Sequence, residues 1–136
     1  MILIREIDHL VLRVQQLEPM LDFYRHVLGC ELERVREDLG LYQLRAGRAL
    51  IDLVTTDGPL GLAGGAAPGS QGRNMDHFCL RLEPFDASAI RAFLVSKGIA
   101  VGALQMRYGA EGVGPSMYIQ DPEGNTLELK GPPTAG

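Results

Sequence analysis

"IDHLVLRV" occupies Ile7–Val14, and "MDHFCLRL" occupies Met75–Leu82. Both place Asp-His ahead of a dense apolar run. Asp8 matches Asp76, His9 matches His77, Leu12 matches Leu80 and Arg13 matches Arg81. The histidines are 68 residues apart. Each stretch reads as a strand, with apolar residues dense enough for burial on both faces.

The sequence after each strand repeats as well. "LEPMLDFYRHVLG" reads as a helix, with Pro19 in its first turn and Leu17, Leu21, Tyr24 and Leu28 in one stripe. "FDASAIRAFLVSKG" follows the same plan, with Asp86 as N-cap, a stripe of Ile90, Phe93 and Leu94, and Gly98 after the last turn. Three β-type runs come next in each half. They are "CELERVRE", "LYQLRA" and "ALIDLVTT" in the first, and "IAVGALQM", "SMYIQ" and "NTLELK" in the second. Asp52 of "LIDL" then matches Glu128 of "TLEL". The simplest organisation is a twofold repeat of a β-α-β-β-β unit. Module 1 spans 1–55 and module 2 spans 75–130. Residues 56–74, rich in Gly and Pro and without periodicity, read as a flexible connector, and 131–136 as a frayed tail.

A length of 136 residues suits a single domain of two such modules. The net charge is −4 and no run of Lys or Arg stands out, which argues against nucleic acid as a partner. No stretch approaches the roughly 18 apolar residues of a membrane span. The N-terminus lacks the pattern of a secretory leader, so a cytoplasmic location is expected. Cys30 and Cys79 lack CxxC spacing, and the connector lacks the GxxxxGK[ST] pattern of a phosphate loop.

Residues two apart in a strand share a face. His9 therefore goes with Val11 and Arg13, and His77 with Cys79 and Arg81. Asp52 and Glu128 interrupt apolar runs, where a carboxylate is costly to bury unless it is paired or bound to a metal. A lone strand histidine is most often a satisfied polar or surface residue. Here both residue types recur at matching places. If the modules pack about a pseudo-twofold axis, two imidazoles and two carboxylates converge, a set suited to a divalent transition metal with open positions. Tyr118 precedes Glu128 on the strand entering "DPEGN" and is either a substrate hydrogen-bonding group or a lining aromatic. Arg107 and Tyr108 fall in a glycine-rich loop. Arg107 there is either solvated or a ligand for a substrate carboxylate or phosphate. Arg13 and Arg81 are expected at a cavity rim, Cys79 in packing and His26 at the surface.

The two "DH" strands, "LIDL" and above all "DPEGNTLELK" (Asp121–Lys130) resemble the vicinal-oxygen-chelate superfamily, which includes glyoxalases, epimerases, extradiol dioxygenases, thiol transferases and bleomycin-binding proteins. Pro122 and Gly124 give the most specific motif its tight turn. The resemblance covers nearly the whole chain. It implies an α+β fold of two βαβββ modules forming an open, curved mixed-sheet barrel. It also implies a metal ligand set of His9, Asp52, His77 and Glu128. Asp52 departs from the usual Glu or Gln and is shorter by about 1.5 Å, which leaves a His/His/Glu triad as the alternative.

The expected activity is that of a divalent-metal-dependent isomerase or lyase, with Ni, Zn, Co, Mn or Fe. Glu128 or Asp52 would move a proton, Tyr118 would assist, and Arg107, Tyr108 and Tyr118 would bind a small oxygen-chelating substrate. The alternatives are an extradiol-type dioxygenase and a metal-free drug-binding resistance protein. The resemblance also implies a homodimer.

Overall fold

A computed structural model describes residues 1–134; Ala135 and Gly136 of the expected tail lie outside the described residues. The chain divides into two compact units, Met1–Asn74 and the residues from Met75 onward. In the first unit, β1 (His9–Val14) leads through α1 (Leu17–Asp22) to β2 (Glu31–Arg36), β3 (Leu41–Ala46) and β4 (Ala49–Thr55), and α2 (Pro59–Leu62) follows. In the second, β5 (Phe78–Arg81) leads through α3 (Ala87–Ser96) to β6 (Gln105–Gly109), β7 (Gly112–Gln120) and β8 (Thr126–Lys130).

Each unit holds one open four-stranded sheet, in the order β1-β4-β3-β2 or β5-β8-β7-β6. The first strand of each runs parallel to the last, and the other pairs are antiparallel. Both sheets are thus mixed, and the expected βαβββ plan is present twice.

Side-chain alternation places the core of each unit. Leu12 and Val14 of β1 are fully buried, as are Leu53 of β4, Leu44 of β3, and Met20 and Tyr24 of the helical segment. In the second unit Met117, Leu127, Leu129 and Leu94 are buried in the same way. The opposite face of β1 is not buried, contrary to the expectation of burial on both sides: Val11 is 47% exposed. That face carries the polar residues of the site.

The helices end as their cap residues dictate. The Asp86 carboxylate accepts from the Ala89 backbone N–H (3.1 Å), satisfying a donor at the start of α3. Gly98, at φ +78°, lets Gly98 N–H and Ile99 N–H reach back to the carbonyls of Val95 and Leu94. Phe93 of the expected stripe is 45% exposed, whereas Leu94 is buried. The first helix changes after Asp22 into a π-turn over Phe23–Val27.

Four expectations are corrected. The stretch 99–104 is not strand; β6 begins at Gln105. The glycine-rich "loop" with Arg107 and Tyr108 is the β6–β7 hairpin. Its glycines serve close approach: a Cβ on Gly114 would come 2.8 Å from the Pro132 carbonyl oxygen and 3.0 Å from that of Gly131. Residues 131–134 are not frayed, because Gly131 N–H donates to Pro115 O (2.8 Å) and Thr134 N–H to Val113 O (3.3 Å).

The fourth correction concerns 56–74, which is not a free connector. It contains α2 and is clamped by Arg13, whose guanidinium donates to the carbonyls of Ala66, Gly61 and Gly65 at 3.0, 2.9 and 2.7 Å. Asn74 adds a reciprocal pair with the Arg13 backbone at 3.1 and 3.0 Å. One guanidinium thus ties three carbonyls of the segment to β1, that of Gly61 part-buried and those of Gly65 and Ala66 exposed. Arg13 is therefore not a free rim residue. No helix among the described residues is long and apolar enough to cross a membrane.

Candidate functional site

The parallel strands give the two units the same polar row. In the first unit β1 and β4 pair Val11 with Asp52, and β3 adds Gln43 opposite Asp52. In the second, Cys79 pairs with Glu128 and Tyr118 lies opposite it. His9 and His77 each precede the row by two residues on the same face. Imidazole and carboxylate are thus brought to one face of each sheet by register rather than by sequence proximity.

The Asp of each "DH" pair has a defined task. Asp8 Oδ1 lies 2.8 Å from His9 Nδ1, and Asp76 Oδ2 lies 2.6 Å from His77 Nδ1. Such a contact holds a ring in place and leaves Nε2 for another partner. In the second unit that partner is Glu128, whose Oε1 is 3.3 Å from His77 Nε2. In the first, Asp8 and then Asp52 hold the His9 imidazole above its ordinary 6.5.

A raised histidine pKa contributes stability below about pH 6.5 and loses that contribution as pH rises through the raised value. His9 is half-exposed, so the effect on stability is small. The titration itself is the sharper readout. Followed by its ring proton signals, His9 is expected to titrate above 6.5, and Asp8→Asn to move its midpoint down. An unchanged midpoint would show that the Asp8 contact is not made in solution.

The two carboxylates differ in their surroundings. Asp52 is 4% exposed, and its hydrogen bonds come from one group, the Gln43 amide nitrogen at 3.2 and 3.3 Å. Arg34, opposite Gln43 on β2, donates to the Gln43 amide oxygen (3.2 Å) and so turns the amide nitrogen towards Asp52. Glu128 is 6% exposed and lies by His77. The Tyr118 ring meets the His77 ring edge-on, with centroids 5.4 Å apart. The Arg107 guanidinium sits 4.4 Å from the centre of the Tyr118 ring. Burial and then Glu128 push the Tyr118 phenol up, against the pull of Arg107, so it remains a hydrogen-bond donor at neutral pH.

Arg107 is not a free loop arginine, since its guanidinium also donates to the Ser116 hydroxyl (2.6 Å) and carbonyl (3.0 Å). Tyr108 is 83% exposed and borders a cleft of about 320 Å³ with His77, Cys79, Arg81 and Glu128. Arg81 there donates to Glu111 (2.8 Å). His26 is a surface residue beside Asp22.

Cys79 is exposed as a residue and borders this cleft, not the core. Its thiol is pushed up to about 11, first by desolvation and then by the Glu128 carboxylate. Alkylation by iodoacetamide at pH 8 is therefore expected to run about a hundredfold slower than for an unperturbed cysteine. Glu128→Gln should accelerate it. Mass spectrometry of the modified peptide gives both rates; a fast wild-type reaction would contradict the desolvation of the thiol, and an unchanged rate in Glu128→Gln would contradict the influence of Glu128.

The donors suit a divalent transition metal by chemistry, with imidazole and carboxylate on one sheet face in each unit and in contact in the second. Each unit alone offers only a pair. Among the described residues no three of His, Cys, Asp and Glu gather to hold a metal. Reasoning from sequence missed Gln43 and Arg34. Their signal was weak but present: Gln43 lies nine residues before Asp52, much as Tyr118 lies ten before Glu128.

The family model described as Glyoxalase/Bleomycin resistance protein/Dioxygenase superfamily matches residues 6–129. The chain belongs to that superfamily. Among solved structures, a virulence protein from Salmonella typhimurium is 26% identical, with a TM-score of 0.80 over 97% of this chain and 100% of that one. A lactoylglutathione lyase from Agrobacterium tumefaciens is 23% identical, with a TM-score of 0.67 over 93% and 92%. TnmS3, an antibiotic binding protein from a Streptomyces species, is 24% identical, with a TM-score of 0.70 over 98% and 100%. The last two likenesses show the glyoxalase-like fold alone. None of the curated proteins matches the chain.

Proposed function

We propose that this superfamily member is a divalent-metal-dependent enzyme of the glyoxalase type, an isomerase or lyase acting on a small substrate with two adjacent oxygens. One observation carries the reading. In both units an Asp-held histidine shares a sheet face with a buried carboxylate, and in the second unit the two lie 3.3 Å apart. Both units of the repeat carry the pair at the same register.

His9, Asp52, His77 and Glu128 would hold the metal, which would act as a Lewis acid towards the substrate oxygens. Asp8 and Asp76 fix the imidazoles. Glu128 or Asp52 accepts the proton moved in the reaction. Tyr118, kept as a phenol, donates a hydrogen bond to a substrate oxygen, and Arg107 steadies its ring. We also propose a homodimer, which sedimentation would reveal.

Two other readings each have an observation behind them. Asp52 is short and is held by Gln43, which favours a His/His/Glu triad and so an extradiol-type dioxygenase. No three donors gather among the described residues, which favours metal-free binding of a drug, as the name of the Streptomyces neighbour describes for that protein.

Elemental analysis of protein purified without chelator or metal-affinity tag separates these. Near-stoichiometric Ni, Co or Zn, lost in His77→Ala, is the expected result. Iron with oxygen uptake on catechols would favour the dioxygenase, and metal retained in Asp52→Ala would favour the triad. No metal, even after loading with these ions, would overturn the enzyme and leave the binding protein.

A further inference from the structure

The first unit contains a cleft of about 480 Å³ whose character differs from that of the second. Val11, Leu41, Val54 and Leu60 line it, with Asp52 at one side. Val11 and Leu60 are roughly half exposed. Part of the wall is the segment that reads in sequence as a connector. Leu60 and Gly64 come from it, and Arg13 holds it in place through the carbonyls of Gly61, Gly65 and Ala66. Gly64 permits this approach, because a Cβ would come 2.4 Å from Arg13 Nε and 2.5 Å from Cζ and displace the guanidinium.

Two buried polar groups at this cleft have unmet capacity. Among the described residues Asp52, 4% exposed, receives hydrogen bonds from the Gln43 amide alone, although a carboxylate can accept about four. Arg13 Nε is buried with no hydrogen-bond partner among the described residues. A concave apolar wall with a few under-satisfied polar groups is the usual make-up of a small-molecule site, and leaving such groups unpaired is costly. The cleft has no basic group free to take an anion, since the Arg13 guanidinium nitrogens Nη1 and Nη2 are spent on carbonyls.

We propose that this cleft binds an aromatic or branched aliphatic group of the substrate, with the substrate's polar end towards Asp52, and that residues 58–64 form the wall that selects it. The inference rests on the small-molecule reading above and deepens it by naming the substrate class. Leu60 is a specificity-determining residue that makes no contribution to the polar row. A change in the 58–64 wall alters which apolar group is accepted while leaving the imidazoles and carboxylates in place.

The probes are benzohydroxamate and acetohydroxamate. Both present two adjacent oxygens, and they differ only in phenyl against methyl. Each is titrated into methyl-labelled protein, with and without Zn²⁺, and followed by NMR. Benzohydroxamate is expected to shift the methyl signals of Val11, Leu41, Val54 and Leu60 saturably, and to bind about tenfold tighter than acetohydroxamate. Leu60→Asp should abolish that preference and leave acetohydroxamate binding unchanged. Leu62→Asp, on the same short helix but outside the cleft, should keep it. Equal affinity for the two probes, a phenyl preference that survives Leu60→Asp, or no response of these methyls in either state would overturn the proposal. Cleft responses that need no Zn²⁺, in a protein that takes up no metal, would uphold the cleft while the metal-dependent reading fails.

Discussion

Replacing Arg13 by Ala is expected to destabilise the protein by about 3 kcal/mol and to open the 56–74 segment to proteases. Three backbone carbonyls, at 2.7–3.0 Å from the guanidinium, lose a charged donor at once, and the contacts that fix the segment to β1 go with it. The Asn74 pairs with the Arg13 backbone survive the substitution, so the loss is confined to the guanidinium. Arg13→Met separates the contributions. It keeps the apolar stem and removes the buried, unpartnered Nε, so its cost should be smaller. Urea unfolding measures the stability, and limited proteolysis between residues 63 and 72 measures the release of the segment. Unchanged unfolding and cleavage in Arg13→Ala would show that the clamp does not hold the segment in solution.

Replacing Asp121 by Ala should cost a similar amount, about 3 kcal/mol. Asp121 is 5% exposed and organises the "DPEGN" turn. Its Oδ1 accepts from the backbone N–H of Glu123 and of Asn125, both at 3.0 Å, and its Oδ2 accepts from the Asn125 amide at 2.8 Å. Asn125 is 3% exposed, so the truncation removes a buried hydrogen bond from its amide. Asp121→Asn is expected to be damaging as well, since its own amide nitrogen would face that of Asn125. β8 begins at Thr126, so the displaced turn should also move Glu128. Faster alkylation of Cys79 in Asp121→Ala would report that movement. Wild-type unfolding in both variants would show that the turn is held by its backbone alone.

The readable parts of the site were those written locally. The "DH" pairs and the acidic last strands stand out because carboxylates and imidazoles interrupt apolar runs. The "DPEGN" turn is legible because Pro122, Gly124 and Asp121 act within five residues of one another. Gln43 and Arg34 were hidden because their role depends on hairpin register, including an irregularity between Leu32 and Arg34. The strand character of Arg107 and Tyr108 was masked by glycines that signal a loop in sequence but permit the tail residues to approach β7.

The twofold βαβββ plan, the helix ends and the pairing of His with a carboxylate in each half were determined by the sequence itself. Side-chain periodicity, cap residues and turn residues act over a few positions, so the chain states them directly. Tertiary structure alone decided which groups satisfy one another. Asp52 meets Gln43 rather than standing free, Arg13 meets carbonyls 48 to 53 residues away, and an apparent connector becomes the wall of an apolar cleft. The Asp52 contact depends on strand register, and the Arg13 contacts bind a side chain to backbone groups at long range, where a carbonyl carries no mark in the sequence that names its donor.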